Sequence, residues 1–95
     1  MLMMSWGEAK RAANLAKHGF DFVELEDFAW TDAVIDEDER LDYGEKRFIA
    51  IGPIGDRLHV VVFTERTTGR RIISARKANS REVARYVREM DCADA

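Results

Sequence analysis

The first third of the chain has the spacing of helices. Residues 8–18 contain four alanines and no proline, a composition that favours an α-helix. The preceding Ser5-Trp6-Gly7-Glu8 fits the capping box that begins a helix, and Gly19 stands where a left-handed residue would end it. Asp21 offers a second N-cap, so a short helix is expected to about Ala29, joined to the first as a helical hairpin. Its core-facing positions are Phe22, Leu25 and Phe28 or Ala29.

After residue 32 the pattern is that of strands, rich in Ile, Val and Phe. The turn residues Gly55-Asp56 and Thr68-Gly69 separate the last three runs, which predicts an antiparallel meander. The predicted strands are residues 33–36, 46–53, 57–65 and 70–77.

A last helix is predicted from a third capping box, Asn79 to Glu82, to about Met90. Val83, Val87 and Met90 share one helical face, and a second face carries the arginine stripe Arg81, Arg85 and Arg88. Helices flanking a meander, without alternating βαβ units, indicate an α+β fold. The chain of 95 residues (1–95) is expected to be one domain, with a core over about residues 5–90.

A two-residue turn at Gly55-Asp56 fixes the register of the first hairpin. The expected partners are Ile54–Arg57, Gly52–His59, Phe48–Phe63 and Lys46–Glu65, the last as an ion pair. The expected buried residues are Phe48, Ile51, Val60, Val62, Ile72 and Val87.

Charge is distributed unevenly along the chain. Residues 1–39 carry three basic and ten acidic side chains, whereas residues 40–90 carry twelve basic and six acidic ones. Such asymmetry is typical of nucleic-acid contact, although the two parts can also neutralise each other in the folded protein. The arginine stripe is therefore either a solvated face or a contact for an acidic or nucleic-acid partner.

Several classes of function are disfavoured by residues that the chain lacks. The single cysteine, Cys92, cannot form an internal disulfide or a zinc site, and no phosphate-binding glycine motif is present. The longest apolar run is Val60–Phe63, far shorter than the roughly 20 residues of a membrane span, and Met1–Met4 lacks the features of a signal peptide. These features predict a cytoplasmic protein with no cofactor, no metal and no membrane contact.

Two histidines remain as candidates for proton transfer. His59 lies within a predicted strand, where a packed histidine is the usual reading. His18 lies in the last turn of the first helix, where it can interact with the helix dipole or act as an acid or base.

An ordered set of segments runs along the chain from Trp6 to Tyr86. In order, the segments are Trp6…Lys10…Asn14…Lys17-His18-Gly19…Phe22, Asp42-Tyr43-Gly44-Glu45-Lys46-Arg47-Phe48-Ile49-Ala50-Ile51-Gly52, Val60-Val61-Val62-Phe63-Thr64-Glu65-Arg66, Arg71-Ile72-Ile73-Ser74-Ala75-Arg76-Lys77-Ala78, and Glu82 with Tyr86. In these segments the chain resembles the BrnT family of bacterial type II toxins. One departure is Gly7, where the family usually has an acidic residue.

The resemblance implies a RelE/ParE-like α+β fold with a short edge strand at Met1–Met4. It also implies a metal-independent endoribonuclease that blocks translation and is neutralised by a cognate antitoxin with a ribbon-helix-helix DNA-binding region. The toxin would then meet DNA only through the antitoxin, in a complex that represses its own operon.

The same resemblance suggests roles for individual residues in cleavage of RNA. Arg66 and Arg76 are expected to bind phosphate, about 15–20 Å apart at about 3.3 Å per residue of strand. Glu65 is the first candidate for the general base and His18 the second. The further phosphate-binding residues are Lys46, Arg47, Lys77 and Lys17.

Two other functions remain open at this point. The chain can be a non-catalytic module of the toxin fold that only binds the antitoxin as operon co-repressor, or an RNA-binding adaptor. Growth arrest on induction, relieved by the neighbouring gene product, distinguishes the toxin from both.

Overall fold

The computed structural model describes residues 3–40 and 44–93, with side chains to Asp91. Met1, Leu2 and the Asp42-Tyr43 part of the family pattern lie outside the described residues, as does the side chain of Cys92. The elements are β1 (Met4–Ser5), α1 (Glu8–His18), two 3-10 helices (Phe22–Asp27 and Trp30–Asp32), β2 (Val34–Asp38), β3 (Arg47–Ile54), β4 (Arg57–Arg66), β5 (Gly69–Lys77) and α2 (Ser80–Ala93).

The strands form one sheet in the order β1-β5-β4-β3-β2. The antiparallel meander predicted from the turn residues is confirmed for β3 to β5, and β2 extends it as a further antiparallel strand beside β3. The two-residue β1 differs, because it pairs in parallel with β5 through Met4–Arg70 and Ser5–Arg71. No described helix is long and apolar enough to span a membrane.

The register of the β3–β4 hairpin is as predicted over seven residue pairs, including Phe48–Phe63 and Gly52–His59. The predicted Lys46–Glu65 pair is wrong, because β3 begins only at Arg47. The Lys46 ammonium lies 3.9 Å from Glu37, whereas the Glu65 carboxylate accepts a 2.7 Å hydrogen bond from Arg70.

Two of the three predicted capping boxes form. The side chains of Asp21 and Asn79 each accept a hydrogen bond from a backbone N–H of the first turn. The carboxylate of the glutamate three residues later accepts one from the backbone N–H of the cap residue. Ser5 caps nothing, because it belongs to β1, and α1 begins after Gly7 without a side-chain cap.

The second predicted helix is a 3-10 helix of six residues, so the predicted hairpin of two α-helices is instead α1 followed by a 3-10 helix. Its buried side chains explain the tighter winding. Phe22 and Leu25 within the helix and Phe28 just after it repeat every three residues, and all are buried. That spacing matches the three residues per turn of a 3-10 helix.

Apolar side chains cover both faces of the sheet. The larger core, which we call the aromatic side, joins the first 3-10 helix to one face through Phe22, Leu25, Val61, Phe63 and Ile72. The smaller core lies on the opposite face, which we call the α2 side. Its members are Ile51, Val60 and Ala78, with Ile49, Leu58 and Tyr86 packed against them.

Of the six predicted core residues, three are buried, two are partly buried and one is exposed. Ile51, Val60 and Ile72 are buried, and Phe48 and Val62 are partly buried. The prediction for Val87 is wrong: it is 51% exposed, because α2 faces the sheet with other residues, described below.

Asn14 closes the outer edge of β5. Its side-chain amide donates to the Ala75 carbonyl at 2.8 Å and accepts from the Ala75 N–H at 3.1 Å, as a neighbouring strand would. The same amide donates to the Phe20 carbonyl at 3.0 Å, and the side chain is buried. One residue therefore fixes α1 against β5 and also fixes the chain that leaves α1.

Removing this amide should destabilise the protein strongly. We expect Asn14→Ala to lower the free energy of unfolding by about 2–3 kcal/mol, because the Ala75 N–H and carbonyl lose their buried partner. Asn14→Asp should cost more at neutral pH, since its carboxylate would face two carbonyl oxygens. Chemical denaturation measures both, and exposed Lys10→Ala on the same helix should stay within about 0.5 kcal/mol of the wild type. Equal stability of Asn14→Ala and Lys10→Ala would contradict this account.

Candidate functional site

About half of the lysine and arginine side chains in the described residues form an ion pair with a carboxylate. These ion pairs join Arg11 to Glu8 and Asp21, Arg40 to Asp38, Lys46 to Glu37, Arg66 to Glu45, Arg70 to Glu65, Arg76 to Glu82, and Arg85 to Asp36 and Glu89. Exposed pairs of this kind contribute little to stability, but each removes a positive charge from the surface available to a ligand. The cations without such a partner are therefore the candidates for binding an anionic ligand.

Uncompensated cations gather beside α1 and β5. A groove of about 200 Å³ lies between these elements, and we call it the α1–β5 groove. Within the described ranges Lys10 and Lys17, which line it, make no ion pair. The complete lining is Lys10, Ala13, Asn14, Lys17, His18, Ile73 and Ser74.

Local features of the sequence explain the α1 wall and the β5 floor of the groove. Lys10 and Lys17 are seven residues apart, so two helical turns bring them to the same face of α1. The floor contains a β-bulge, because Val62 pairs with Ser74 while Phe63 pairs with Ile72, which leaves Ile73 as the extra residue. A bulge bends its strand and redirects neighbouring side chains.

Arg71 and Arg76 flank the floor of the groove along β5. Arg71 makes no ion pair among the residues whose positions are described, and its Nη2 would lie 3.3 Å from a Cβ added at Gly7, where α1 begins. Arg76 pairs with Val60 of the small core, so it lies on the α2 side. The groove therefore has uncompensated Arg71 at one end and Arg76, paired with Glu82, at the other.

His18 is the titratable group of this groove. The side chain is exposed, yet desolvation by the protein around it lowers its pKa below the ordinary 6.5, and the neighbouring charges of Lys17 and Arg76 lower the pKa further. The imidazole is therefore neutral at neutral pH and can accept a proton there. His59, in contrast, is buried with Nδ1 3.0 Å from the Arg57 carbonyl and its ring against Phe20, which is a packing role.

The guanidinium of Arg76 is held by Glu82 of α2. Nη1 and Nη2 donate to the two carboxylate oxygens at 2.7 and 2.8 Å, and this bidentate pair raises the pKa of Arg76 and lowers that of Glu82. Arginine forms the same fork with phosphate. A phosphate at this point would therefore compete with Glu82 for one guanidinium.

Arg66 lies at the opposite end of the sheet. It stands six residues along β4 from Val60, the partner of Arg76, which places the two arginines about 20 Å apart on the same side of the sheet. Its guanidinium donates to Glu45 at 3.3 Å, where both side chains are about half exposed. Arg66 and Arg76 cannot hold the same phosphate.

Glu65 lies on the other face of the sheet from Arg66. Its carboxylate is half exposed and accepts a hydrogen bond from Arg70, whose guanidinium lies 4.5 Å from the ring centroid of Trp30 and 4.8 Å from that of Phe63. Glu65 thus holds an arginine over the aromatic core. The burial expected of a carboxylate base is absent here.

The structure places most of the residues proposed from sequence in two groups, with Lys77 and Glu65 apart from them on the aromatic side. Lys17, His18 and Arg76 come together at the α1–β5 groove. Lys46, exposed, and Arg47, half-buried, lie at the Arg66 end. Lys77 is exposed on the aromatic side, opposite buried His59.

Sequence reasoning missed Lys10, Arg71 and Ser74 as parts of this site. The seven-residue spacing of Lys10 and Lys17 could have revealed the first of these. The position of Arg71 depends on the bulge, for which no local signal was found. Among residues 3–40 and 44–93, no group of three His, Cys, Asp or Glu side chains could hold a metal ion.

Comparisons with known proteins identify the family of the chain. The model of the family described as "Ribonuclease toxin, BrnT, of type II toxin-antitoxin system" matches residues 6–82. The chain is also similar to the Brucella abortus ribonuclease toxin BrnT, solved by crystallography at 1.1 Å, with 30% identity and a TM-score of 0.66 over 84% of this chain and all of that one. No curated protein sequence matches. The chain therefore belongs to the BrnT family of ribonuclease toxins of type II toxin–antitoxin systems.

Proposed function

We propose that this protein is a metal-independent endoribonuclease of RelE/ParE-like type that acts in the cytoplasm, blocks translation and is neutralised by a ribbon-helix-helix antitoxin. Family membership supports the toxin and ribonuclease parts of this proposal. The observation that carries the site is the α1–β5 groove, where a histidine with a lowered pKa lies among cations free of carboxylates.

The reaction that fits this groove is attack of a ribose 2′-oxygen on the adjacent phosphorus. The 2′-O–P bond forms as the P–O5′ bond breaks, which leaves a 2′,3′-cyclic phosphate and a free 5′-hydroxyl. Neutral His18 takes the 2′-hydroxyl proton, and the Lys17 ammonium gives a proton to the departing 5′-oxygen. Lys10 and Arg71 stabilise the charge that develops on the phosphoryl oxygens.

Arg76 adds phosphate binding at the end of the groove. Its fork already holds a carboxylate, so a scissile or neighbouring phosphate takes the place of Glu82. Arg66, with Arg47 and Lys46 nearby, extends the basic surface about 20 Å along the sheet and binds the strand beyond the cleavage point.

The proton-transfer role is assigned to His18 because of what surrounds each candidate. Glu65 is engaged by Arg70 on the aromatic side, whereas His18 lines a groove with the uncompensated lysines. Lys77 remains an exposed cation that can contact RNA on the aromatic side.

Variants of the groove should separate catalysis from folding. We expect His18→Gln to reduce RNA cleavage by about 10²–10⁴-fold, because a positioned base is lost. Arg76→Ala should reduce it by about 10²–10³-fold, because a transition-state charge is lost. Single-turnover cleavage and thermal unfolding, measured on the same samples, test this.

Arg88→Ala is the matched control, since Arg88 is an exposed arginine without an ion pair in the described part of the chain. It should cleave as the wild type does. Wild-type rates in both groove variants would disprove the proposed site.

Glu82→Gln removes the carboxylate that competes for Arg76, so it should not lower the rate as Arg76→Ala does. A Glu82→Gln variant as inactive as Arg76→Ala would show that the pair acts as structure. If every variant and the wild type leave RNA intact yet bind the antitoxin, the non-catalytic module is the better description.

The pH dependence of cleavage should report on His18. Its pKa is lowered from 6.5, so the wild-type rate should be level near pH 7 and fall only as the pH drops below 6.5. The residual activity of His18→Gln should lack this acid limb. A limb unchanged in His18→Gln would assign the titration to another group.

Cleavage should not require a divalent cation, because the proposed chemistry uses only protein groups. We expect an unstructured RNA oligonucleotide to be cut at the same rate in excess EDTA. The same oligonucleotide with a 2′-deoxy sugar at the cleavage point should resist. Loss of cleavage in EDTA, restored by added Mg²⁺ or Mn²⁺, would contradict the mechanism.

A further inference from the structure

α2 faces the sheet with polar side chains. Three of its residues, on the side of the helix that meets the sheet, bind partners from other elements. The contacts are the ion pairs Glu82–Arg76 and Arg85–Asp36 and a 2.7 Å hydrogen bond from the Tyr86 hydroxyl to the Asp32 carbonyl. These polar bonds fix the rotation of the helix about its axis, so Val83 and Val87 do not turn towards the sheet.

The consequence is an apolar strip on the outside of α2. Val83 is 36% exposed and Val87 is 51% exposed, and at i and i+4 they lie one turn apart. The strip continues into a groove of about 480 Å³ between the start of α2 and the β3–β4 turn, where Leu58 and Ala78 add apolar surface. We call this continuous surface the α2 outer face. The groove is lined by Asp56, Arg57, Leu58, Ala78, Ser80 and Val83.

Arginines border the α2 outer face at the groove and along one side of the helix. Arg57 lies at the groove, Arg88 directly follows Val87, and Arg81 lies farther round the helix; none has an ion pair within the described ranges. Two acids are also close, Asp56 in the groove and exposed Asp91 one helical turn beyond Val87, and the arginines outnumber them. A partner that covers the valines therefore gains from acidic side chains at the margins of its apolar surface.

We propose that the α2 outer face is a docking surface for an amphipathic helix of the antitoxin, with apolar residues on one side and acidic residues flanking them. Two valines one helical turn apart beside an apolar groove suit the i, i+4 anchors by which helices dock. The proposal rests on the antitoxin partner that this family has, and it does not depend on RNA cleavage by this chain.

A second copy of this chain fits the surface less well. In a symmetric dimer the same surface meets itself, so Arg81 and Arg88 of one copy would approach those of the other. Like charges at such a contact are unfavourable, whereas an acidic partner relieves them. The charge of the face thus favours a different protein.

The test uses the purified full chain and the purified product of the adjacent open reading frame as the probe. Calorimetry should show tight binding, and Val87→Asp should raise the Kd at least about tenfold, since it places a carboxylate in the apolar strip. Val23→Asp is the matched control: Val23 is 50% exposed, on the first 3-10 helix, and this change should leave the Kd unaltered. Arg88→Glu should also weaken binding, and the wild-type Kd should rise with salt.

Several results would overturn the proposal. They are no binding of the probe to the wild-type chain, a wild-type Kd for Val87→Asp, equal losses in Val87→Asp and Val23→Asp, or tighter binding by Arg88→Glu, which would indicate a basic partner. A dimer of the free chain that Val87→Asp dissociates, with the Kd unchanged, would assign the face to a second copy. RNA cleavage by free Val87→Asp, measured alongside, should equal that of the wild type and keeps this test separate from that of the ribonuclease.

Discussion

The fold depends on how the outer edge of β5 is closed. β1 pairs with only the first part of that edge, at Arg70 and Arg71. Farther along, the Asn14 amide takes the place of a strand by bonding both the N–H and the carbonyl of Ala75. A side chain can do this only if its helix lies directly against the strand. The groove between α1 and β5 exists because of that constraint.

Neutralisation of charge follows a spatial rule in this small domain. Some carboxylates from the acidic part of the sequence reach bases of the second part, as Asp36 reaches Arg85 and Glu37 approaches Lys46, while Glu45, Glu65 and Glu82 pair with strand arginines. The bases without an ion pair among the described residues lie on α1, at the start of β4, on β5 and on α2. The protein has a net charge of −3 but also separate basic surfaces. A polyanion that approaches one of these surfaces therefore meets a positive local potential, although the protein as a whole is negative.

Local signals in the sequence predicted those parts of the fold that local chemistry decides. The Gly55-Asp56 turn fixed the register that brings Phe48 opposite Phe63, and Asn79 with Glu82 marked the start of α2. The orientation of α2 was not predictable in this way. Helical periodicity pointed Val87 inward. The orientation is set instead by bonds from α2 to other elements: Glu82 binds Arg76 of β5, six residues away in sequence, and Tyr86 binds the Asp32 carbonyl, 54 residues away. The family pattern identified Lys17, His18 and Arg76, yet only the packing of α1 against β5 shows that they meet.

The bulge at Ile73 determines on which face of the sheet each arginine of β5 lies. In an uninterrupted strand Arg70 and Arg76, an even number of residues apart, would share a face. The extra residue reverses this, so that Arg70 lies over Trp30 on the aromatic side and Arg71 shares the parity of Arg76. Deleting one residue from this strand would therefore exchange a core-stacking arginine for a surface one while every amino-acid type stayed in place. The length of this segment therefore matters to the site as well as the identity of its residues.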